Sequence, residues 1–290
     1  MRCMKQCAKF SPKIPDFYLL IQKKRLQKRF FIAFFMALIQ SFEKSGNFLF
    51  KHRGIIPVFV FLICAPILCF TTSLSFYEEM STGGRVAIAI AAMLISLSGI
   101  VVRAYTIGTT PHGTSGRNTD KQVAKQLNTK GIYSIVRHPL YLGNYLMWLG
   151  LLVFIMDLPF LIAVSLVYWL YYERIMFAEE SFLTREFGQQ YIDWSMKVPP
   201  FLPKFSQFEK GDVPFHFKSV LRREYSGIFA ITLCFTLVDY VRTWLLCEFT
   251  ADMQWIRPSG IVCLVMLVAM LVLRTLKHHS RLLAAEENRD

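Results

Sequence analysis

Apolar residues in this chain gather into long uninterrupted blocks, each bounded by charged or aromatic residues. Crossing a bilayer takes about 20 apolar residues, with a lower limit near 17. Six blocks meet or approach that length: residues 55–74, 86–102, 140–156, 158–172, 228–247 and 259–273. The third and fourth are separated by little more than Asp157 and Pro159, which predicts a helical hairpin. Blocks four and six are short, so Trp169, Tyr171, Tyr172 and Trp255 are placed to finish their ends at the interface. The pattern predicts an all-α integral membrane protein of about six transmembrane helices.

Between the blocks, basic residues alternate sharply. Residues 1–54 carry 12 Lys and Arg, 103–139 carry six, 173–227 carry eight, and the tail after residue 273 carries four. The intervening segments 75–85 and 242–257 carry one and two, and the turn at Asp157 none. Alternate compartments thus receive 30 and three. Basic loops stay on the cytoplasmic side, so both termini are expected there. This also accounts for the net charge of +13 without a nucleic-acid partner, since the basic residues flank apolar blocks instead of forming one patch.

The 290 residues then divide into a basic leader (1–54), a first transmembrane helix with its outer loop (55–85), a core containing the hairpin (86–210), and an extension with two further spans (211–290). In the leader, Lys23, Lys24, Arg25, Lys28 and Arg29 precede an apolar run at 30–39. That run has the length of a signal-peptide core, but no A-x-A site follows it. The preferred reading is an interfacial helix on anionic lipid, with translation from Met36 as the alternative. The seven cysteines, Cys3, Cys7, Cys64, Cys69, Cys234, Cys247 and Cys263, are odd in number and form no C-x-x-C pair. Buried thiols are expected, with no disulfide framework and no metal site.

Candidate chemistry concentrates in the two long cytoplasmic loops, which lead into and out of the hairpin. The first ends Gly131-Ile-Tyr133-Ser-Ile-Val-Arg137-His138-Pro139-Leu140-Tyr141-Leu-Gly143. Pro139 suits the first position of a helix, and the amides of such a helix start carry partial positive charge. With Arg137 and His138 directly before them, they make a receptor for a carboxylate or phosphate. Gly143 lets a ligand or a neighbouring helix approach closely. The second loop opens with Tyr172-Glu173-Arg174 and continues to Glu179-Glu180. Helical spacing puts Glu173 and Glu180 on one face and Tyr172 and Glu179 on the adjacent one. Carboxylates just outside a span can bind an ammonium group. Asp239 and Arg242, inside the fifth block, are expected to pair with each other.

G-x-Y-x-x-x-R-H-P-x-Y-x-G, a hairpin, then E-E-x-x-L-x-x-x-F-G-x-x-Y and a Val198-Pro199 close resembles the isoprenylcysteine carboxyl methyltransferase and phospholipid methyltransferase superfamily. The resemblance covers residues 86–203. It implies a compact bundle of membrane helices and S-adenosylmethionine bound at the cytoplasmic membrane surface. By this likeness Tyr133, Arg137, His138, Pro139, Leu140, Tyr141 and Glu179 line the cofactor pocket, and Asn118, Gln126 and Asn128 lie in the segment that covers it. Arg174 is the nearest match to a family arginine that holds the acceptor's anionic group, and Glu180 is the only nearby general base should the acceptor be an amine. The implied function is methylation of a membrane-embedded lipid. The R-H-P form is more similar to the O-methylating branch, whose acceptor would be a lipid phosphate, as in lipid A, or a prenylcysteine-like carboxylate. N-methylation of phosphatidylethanolamine is the alternative. A nicotinamide-dependent sterol-type reductase is a further one, disfavoured because Leu140 stands where those enzymes have Asn. The bacterial inner membrane is the favoured location, or the endoplasmic reticulum in a eukaryote.

Overall fold

A computed structural model describes residues 16–54, 73–111, 124, 126–247 and 256–279. Among the described residues the chain is helical, with one isolated antiparallel bridge between Gly131 and Glu209. The helices are α1 (Asp16–Lys51), α2 (Ser73–Glu79), α3 (Thr82–Thr109), α4 (Pro139–Ile155), α5 (Leu158–Phe187), α6 (Gln189–Ser195), α7 (Phe217–Leu246) and α8 (Pro258–His279). Short 3-10 turns occur at Ile132–Ser134 and Phe205–Gln207.

Four of these, α3, α5, α7 and α8, are long and apolar enough to cross a membrane. They correspond to the second, fourth, fifth and sixth apolar blocks. The third block forms α4, which has 17 residues and is therefore only about 25 Å long at 1.5 Å per residue. Nearly all of the first block, expected to span at 55–74, lies outside the described residues. The exposed side chains of the long helices are themselves apolar: Ile90, Leu94 and Val101 on α3, Ile162, Leu166 and Leu170 on α5, Val262, Val265 and Val272 on α8. An exterior this apolar is stable only against lipid, so the protein is an integral membrane protein.

α4 is the central helix, packed by α3, α5 and α7. Its contact with α3 is backbone to backbone. A Cβ at Gly99 would lie 2.5 Å from the Gly143 carbonyl oxygen, and one at Gly150 would collide with the Ala92 carbonyl. Ser96 fills the step between them and donates to the Met147 carbonyl at 3.3 Å. Small residues spaced this way let helices associate by close van der Waals packing where lipid offers no hydrophobic driving force. Of the two uses expected for Gly143, the structure realises close approach by a neighbouring helix. Gly150→Val is expected to destabilise the fold by about 1–3 kcal/mol through overpacking, measurable as a lower unfolding temperature in detergent.

The hairpin turns as the sequence predicts. Met156 takes a left-handed conformation (φ 64°) and ends α4; Asp157 caps α5, accepting from the Phe160 amide at 2.8 Å. α5 then runs well past its apolar block and stops only at Gly188, with φ 53°. The expected pairing of Asp239 with Arg242 does not form. Asp239 instead accepts two hydrogen bonds from Arg257, each 2.9 Å, and one from Ser259 at 2.6 Å, which tie α7 to the start of α8. Arg242 reaches the last carbonyls of α4, at Phe154 and Ile155, and lies over the rings of Tyr77 and Phe154. Helix ends leave such carbonyls without intrahelical partners, and a guanidinium is a stronger match for them than a distant carboxylate is for the guanidinium.

The last turns of α1 dock on the C-terminal half of α5. Glu43 pairs with Arg185 at 2.6 Å, Phe42 meets Phe177 edge-on, and Phe50 is buried in a cluster with Tyr141, Tyr172, Ile175 and Met176. The apolar run at 30–39 remains exposed.

Candidate active site

The loop before α4 is held by a strap from the far side of the hairpin. Gly131, with φ 64°, turns the chain and donates its amide to the Glu209 carbonyl at 2.9 Å. Ser134 Oγ accepts from the Glu209 amide at 2.9 Å. The Arg137 and His138 amides donate to the carbonyls of Pro199 and Pro200 at 2.9 and 3.2 Å, and the Lys204 amide donates to Ile135 at 2.9 Å. Trp194 Nε1 donates to the Tyr133 carbonyl at 3.3 Å. The Val198-Pro199 close of the sequence motif therefore belongs to this strap, and its job is to set where Arg137 and His138 stand.

His138 occupies the position just before α4, and Pro139 the first turn. The His138 ring is 7% exposed and lies between the two carboxylates of α5. Its Nε2 is 2.9 Å from Glu180 Oε1, and its Nδ1 is 3.5 Å from Glu179 Oε2. Arg137 Nη1 forms an ion pair with the same Glu180 oxygen at 2.9 Å. The Tyr141 hydroxyl donates to Glu179 Oε1 at 2.7 Å, and its ring stacks on His138 at 5.7 Å. The structure thus brings together Arg137, His138, Pro139, Tyr141, Glu179 and Glu180. Tyr133 adjoins them, its hydroxyl pushed up to about 12 by burial and by the charge of Glu179.

Burial alone would lower the pKa of His138, but the hydrogen bonds and charges of Glu179 and Glu180 outweigh it, and the value is raised above 6.5. A raised folded pKa means that the pairing stabilises fully below the unfolded value and that this contribution is lost as pH rises through the folded value. The unfolding temperature of the wild type is therefore expected to fall as pH rises from 6 upward. His138→Gln should flatten that slope in a thermal melt series; an unchanged slope would place the imidazole outside the pair.

Other expected residues fall elsewhere. Glu173, two turns before Glu180 on the same face of α5, is exposed. Arg174 turns to α1, donating to Ser45 Oγ at 3.2 Å with its guanidinium 4.4 Å from the Phe42 ring centroid. Gln126 is exposed and Asn128 half-buried, while Asn118 lies outside the described residues. Two donors in the cluster, Arg137 Nε and the Tyr191 hydroxyl, are buried without a hydrogen-bond partner. Tyr191 is 3% exposed, and burial raises its pKa, so the hydroxyl stays a donor. Buried polar groups are rarely left so; a bound polar ligand is one partner that would satisfy them.

Sequence reasoning missed a second polar layer one turn deeper, made by Arg103 of α3, Asn144 of α4, Tyr168 and Tyr172 of α5, and Glu224 of α7. Its only signal in the sequence was an arginine and a glutamate close to the ends of apolar segments.

The phospholipid methyltransferase family profile matches residues 86–190. Protein-S-isoprenylcysteine O-methyltransferase B of Arabidopsis thaliana is 39% identical over 80 residues, covering 27% of this chain and 40% of the relative. Protein-S-isoprenylcysteine O-methyltransferase of Schizosaccharomyces pombe is 34% identical over 89 residues, 31% of this chain and 36% of the relative. A cobalt-zinc-cadmium resistance protein of Cupriavidus metallidurans is 30% identical over 165 residues, 56% of this chain and 68% of the relative. The chain thus spans two fifths or less of the length of the two isoprenylcysteine methyltransferases. No solved structure matches it.

Proposed function

The chain belongs to the phospholipid methyltransferase family of membrane proteins, and from that premise we propose that it transfers a methyl group from S-adenosylmethionine to an anionic oxygen on a membrane-resident lipid, at a site on the cytoplasmic face. The observation that carries the reading is the pair of α5 carboxylates set against the N-terminus of α4.

The residues fit the cofactor chemically. Its ammonium and sulfonium are cationic, and Glu179 and Glu180 are carboxylates with open edges, each about a quarter exposed. Its carboxylate and hydroxyls need donors, and Arg137 Nε and the Tyr191 hydroxyl are donors in want of acceptors. Tyr133, Pro139, Leu140 and Tyr141 supply the wall, and Asn118, Gln126 and Asn128 belong to the segment that would cover it. Once bound, the cofactor would supply an electrophilic methyl group on a positively charged sulfur, which leaves as a neutral thioether when the methyl passes to the acceptor oxygen. The protein's share is alignment and exclusion of water.

Glu180 bears on which atom is methylated. An ammonium acceptor must lose a proton before it can attack, so N-methylation calls for a base. Glu180 Oε1 lies 2.9 Å from both Arg137 Nη1 and His138 Nε2, which commits it to the ion pair. An acceptor that is anionic at neutral pH, a prenylcysteine-type carboxylate or a lipid phosphate, needs no base. Arg174 is committed to α1, and we assign it to docking that helix.

The test is transfer from methyl-labelled cofactor by the purified protein in nanodiscs. Three acceptors are offered: S-farnesylcysteine with its amine blocked, an anionic lipid extract, and phosphatidylethanolamine. Label is expected in the first or the second, and release as methanol in mild alkali identifies the carboxyl ester. Alkali-stable label on the phosphatidylethanolamine amine would overturn the O-methylation reading.

A further inference from the structure

The deeper polar layer lies behind the proposed cofactor site, bonding the backbone of Leu140 and Tyr141 in the wall of that site. Arg103 on α3 donates Nε and Nη2 to the two oxygens of Glu224 on α7, each at 2.7 Å. Its Nη1 donates to Asn144 Oδ1 at 2.5 Å and approaches the Leu140 carbonyl at 3.5 Å. The Glu224 side chain is 3% exposed and that of Arg103 20%. Asn144 in turn donates to the Tyr172 hydroxyl at 3.2 Å, and the Tyr172 ring packs 4.8 Å from that of Tyr141. From the other side the Tyr168 hydroxyl donates to the Tyr141 carbonyl at 2.8 Å. The Arg103 stem reaches this place only because residue 143 is glycine: a Cβ there would lie 2.5 Å from Arg103 Cγ.

We propose that the Arg103–Glu224 pair is a positioning device for the site above it, through which α7 fixes the first turn of α4 and with it Tyr141, the donor to Glu179. An ion pair this deeply placed is a poor source of stability, since matched apolar residues would serve as well. Its geometry is what apolar residues cannot supply. A bidentate fork fixes the rotation of one helix against another, and here the free edge of the fork grips α4 at Leu140 and Asn144. Glu224 lies outside residues 86–190, the part matched by the family profile. By this proposal α7, which lies beyond the matched segment, is part of what shapes the site. The inference rests on the proposed function only for what that site binds.

Hydrogen exchange on the full-length protein in nanodiscs, without cofactor, tests it. Glu224→Gln is compared with Arg242→Met, which loosens the same helix α7 at its opposite end. Glu224→Gln is expected to speed exchange at least tenfold in the amides of 140–144 and to weaken S-adenosylmethionine binding about tenfold. Arg242→Met should change neither. Arg103→Lys keeps the charge but loses the fork, and should reproduce the Glu224→Gln pattern, so the test stands if one variant fails to insert. Exchange at 140–144 that stays at the wild-type rate in both Arg103→Lys and Glu224→Gln, or that rises equally in Arg242→Met, overturns the proposal. Failure of the wild type to bind the cofactor would strike the proposed function alone, because the exchange comparison needs no ligand.

Discussion

Glu179→Gln is expected to lower affinity for S-adenosylmethionine by 100-fold or more while the protein still inserts and keeps its helical content. The substitution is nearly isosteric. A glutamine carbonyl can still accept from the Tyr141 hydroxyl, which in the wild type lies 2.7 Å from Glu179 Oε1. What disappears is the negative charge, at a place sheltered enough that solvent screens it weakly. Hydrogen bonds to charged groups are worth about 1.5–3 kcal/mol, and stripping a buried cation of its counter-charge costs about 3–5 kcal/mol. At about 1.4 kcal/mol per tenfold, the expected loss is about two orders of magnitude or more. Isothermal titration reads it directly. Unchanged affinity would remove Glu179 from the pocket.

The second large effect is expected at His138. His138→Ala removes the group lying between Glu179 and Glu180 and leaves two adjacent carboxylates with Arg137 as the remaining cation of the cluster. It also removes the ring that stacks on Tyr141. A fall in kcat/KM of about 100-fold is expected, equivalent to about 3 kcal/mol. Arg242→Ala is the comparison. Its guanidinium is as buried as the imidazole, at 7% exposure each, but it serves the opposite end of α4. That variant is expected to lose thermal stability and to keep kcat/KM per folded molecule within about threefold of wild type. Equal losses of activity in the two would mean that the site lies elsewhere.

The two outcomes trace to features that differ in how far a sequence can display them. The R-H-P start of α4 is local: a proline opens the helix, and the two residues before it must stand at its mouth. Glu179 and Glu180 are about 40 positions away, but a hairpin with a two-residue turn brings the α5 exit back beside the α4 start. Length and hydropathy therefore sufficed to predict that they meet. The strap at 198–204 was visible only as a motif fragment, because its work is done by backbone carbonyls, which no side-chain pattern records. Arg103 and Glu224 are 121 positions apart. Nothing in either neighbourhood indicates that α7 packs on α3 with that register. Arg242 shows the opposite failure. Proximity in sequence suggested Asp239 as its partner, yet three residues along a helix leave both side chains free to choose across it, and each found a geometrically better match.

The docking of α1 was hidden for a related reason. Phe42, Glu43, Gly46 and Phe50 are spaced at three and four, a helical stripe, but they follow a basic cluster and an apolar run that dominate any reading of the first 54 residues. Of this stripe, Phe50 packs with Tyr141 and Tyr172. Arg174, expected at the acceptor, is drawn to α1 instead.

The most direct test of the central arrangement is photo-crosslinking of radiolabelled S-adenosylmethionine to the wild type in sealed inside-out vesicles, followed by peptide mapping. Covalent label confined to segments 133–144 and 172–194, suppressed by excess S-adenosylhomocysteine and absent in Glu179→Gln, is the expected result. Label that forms only when the opposite face is accessible, or that maps to α8, would contradict a cofactor gripped between the start of α4 and the carboxylates of α5.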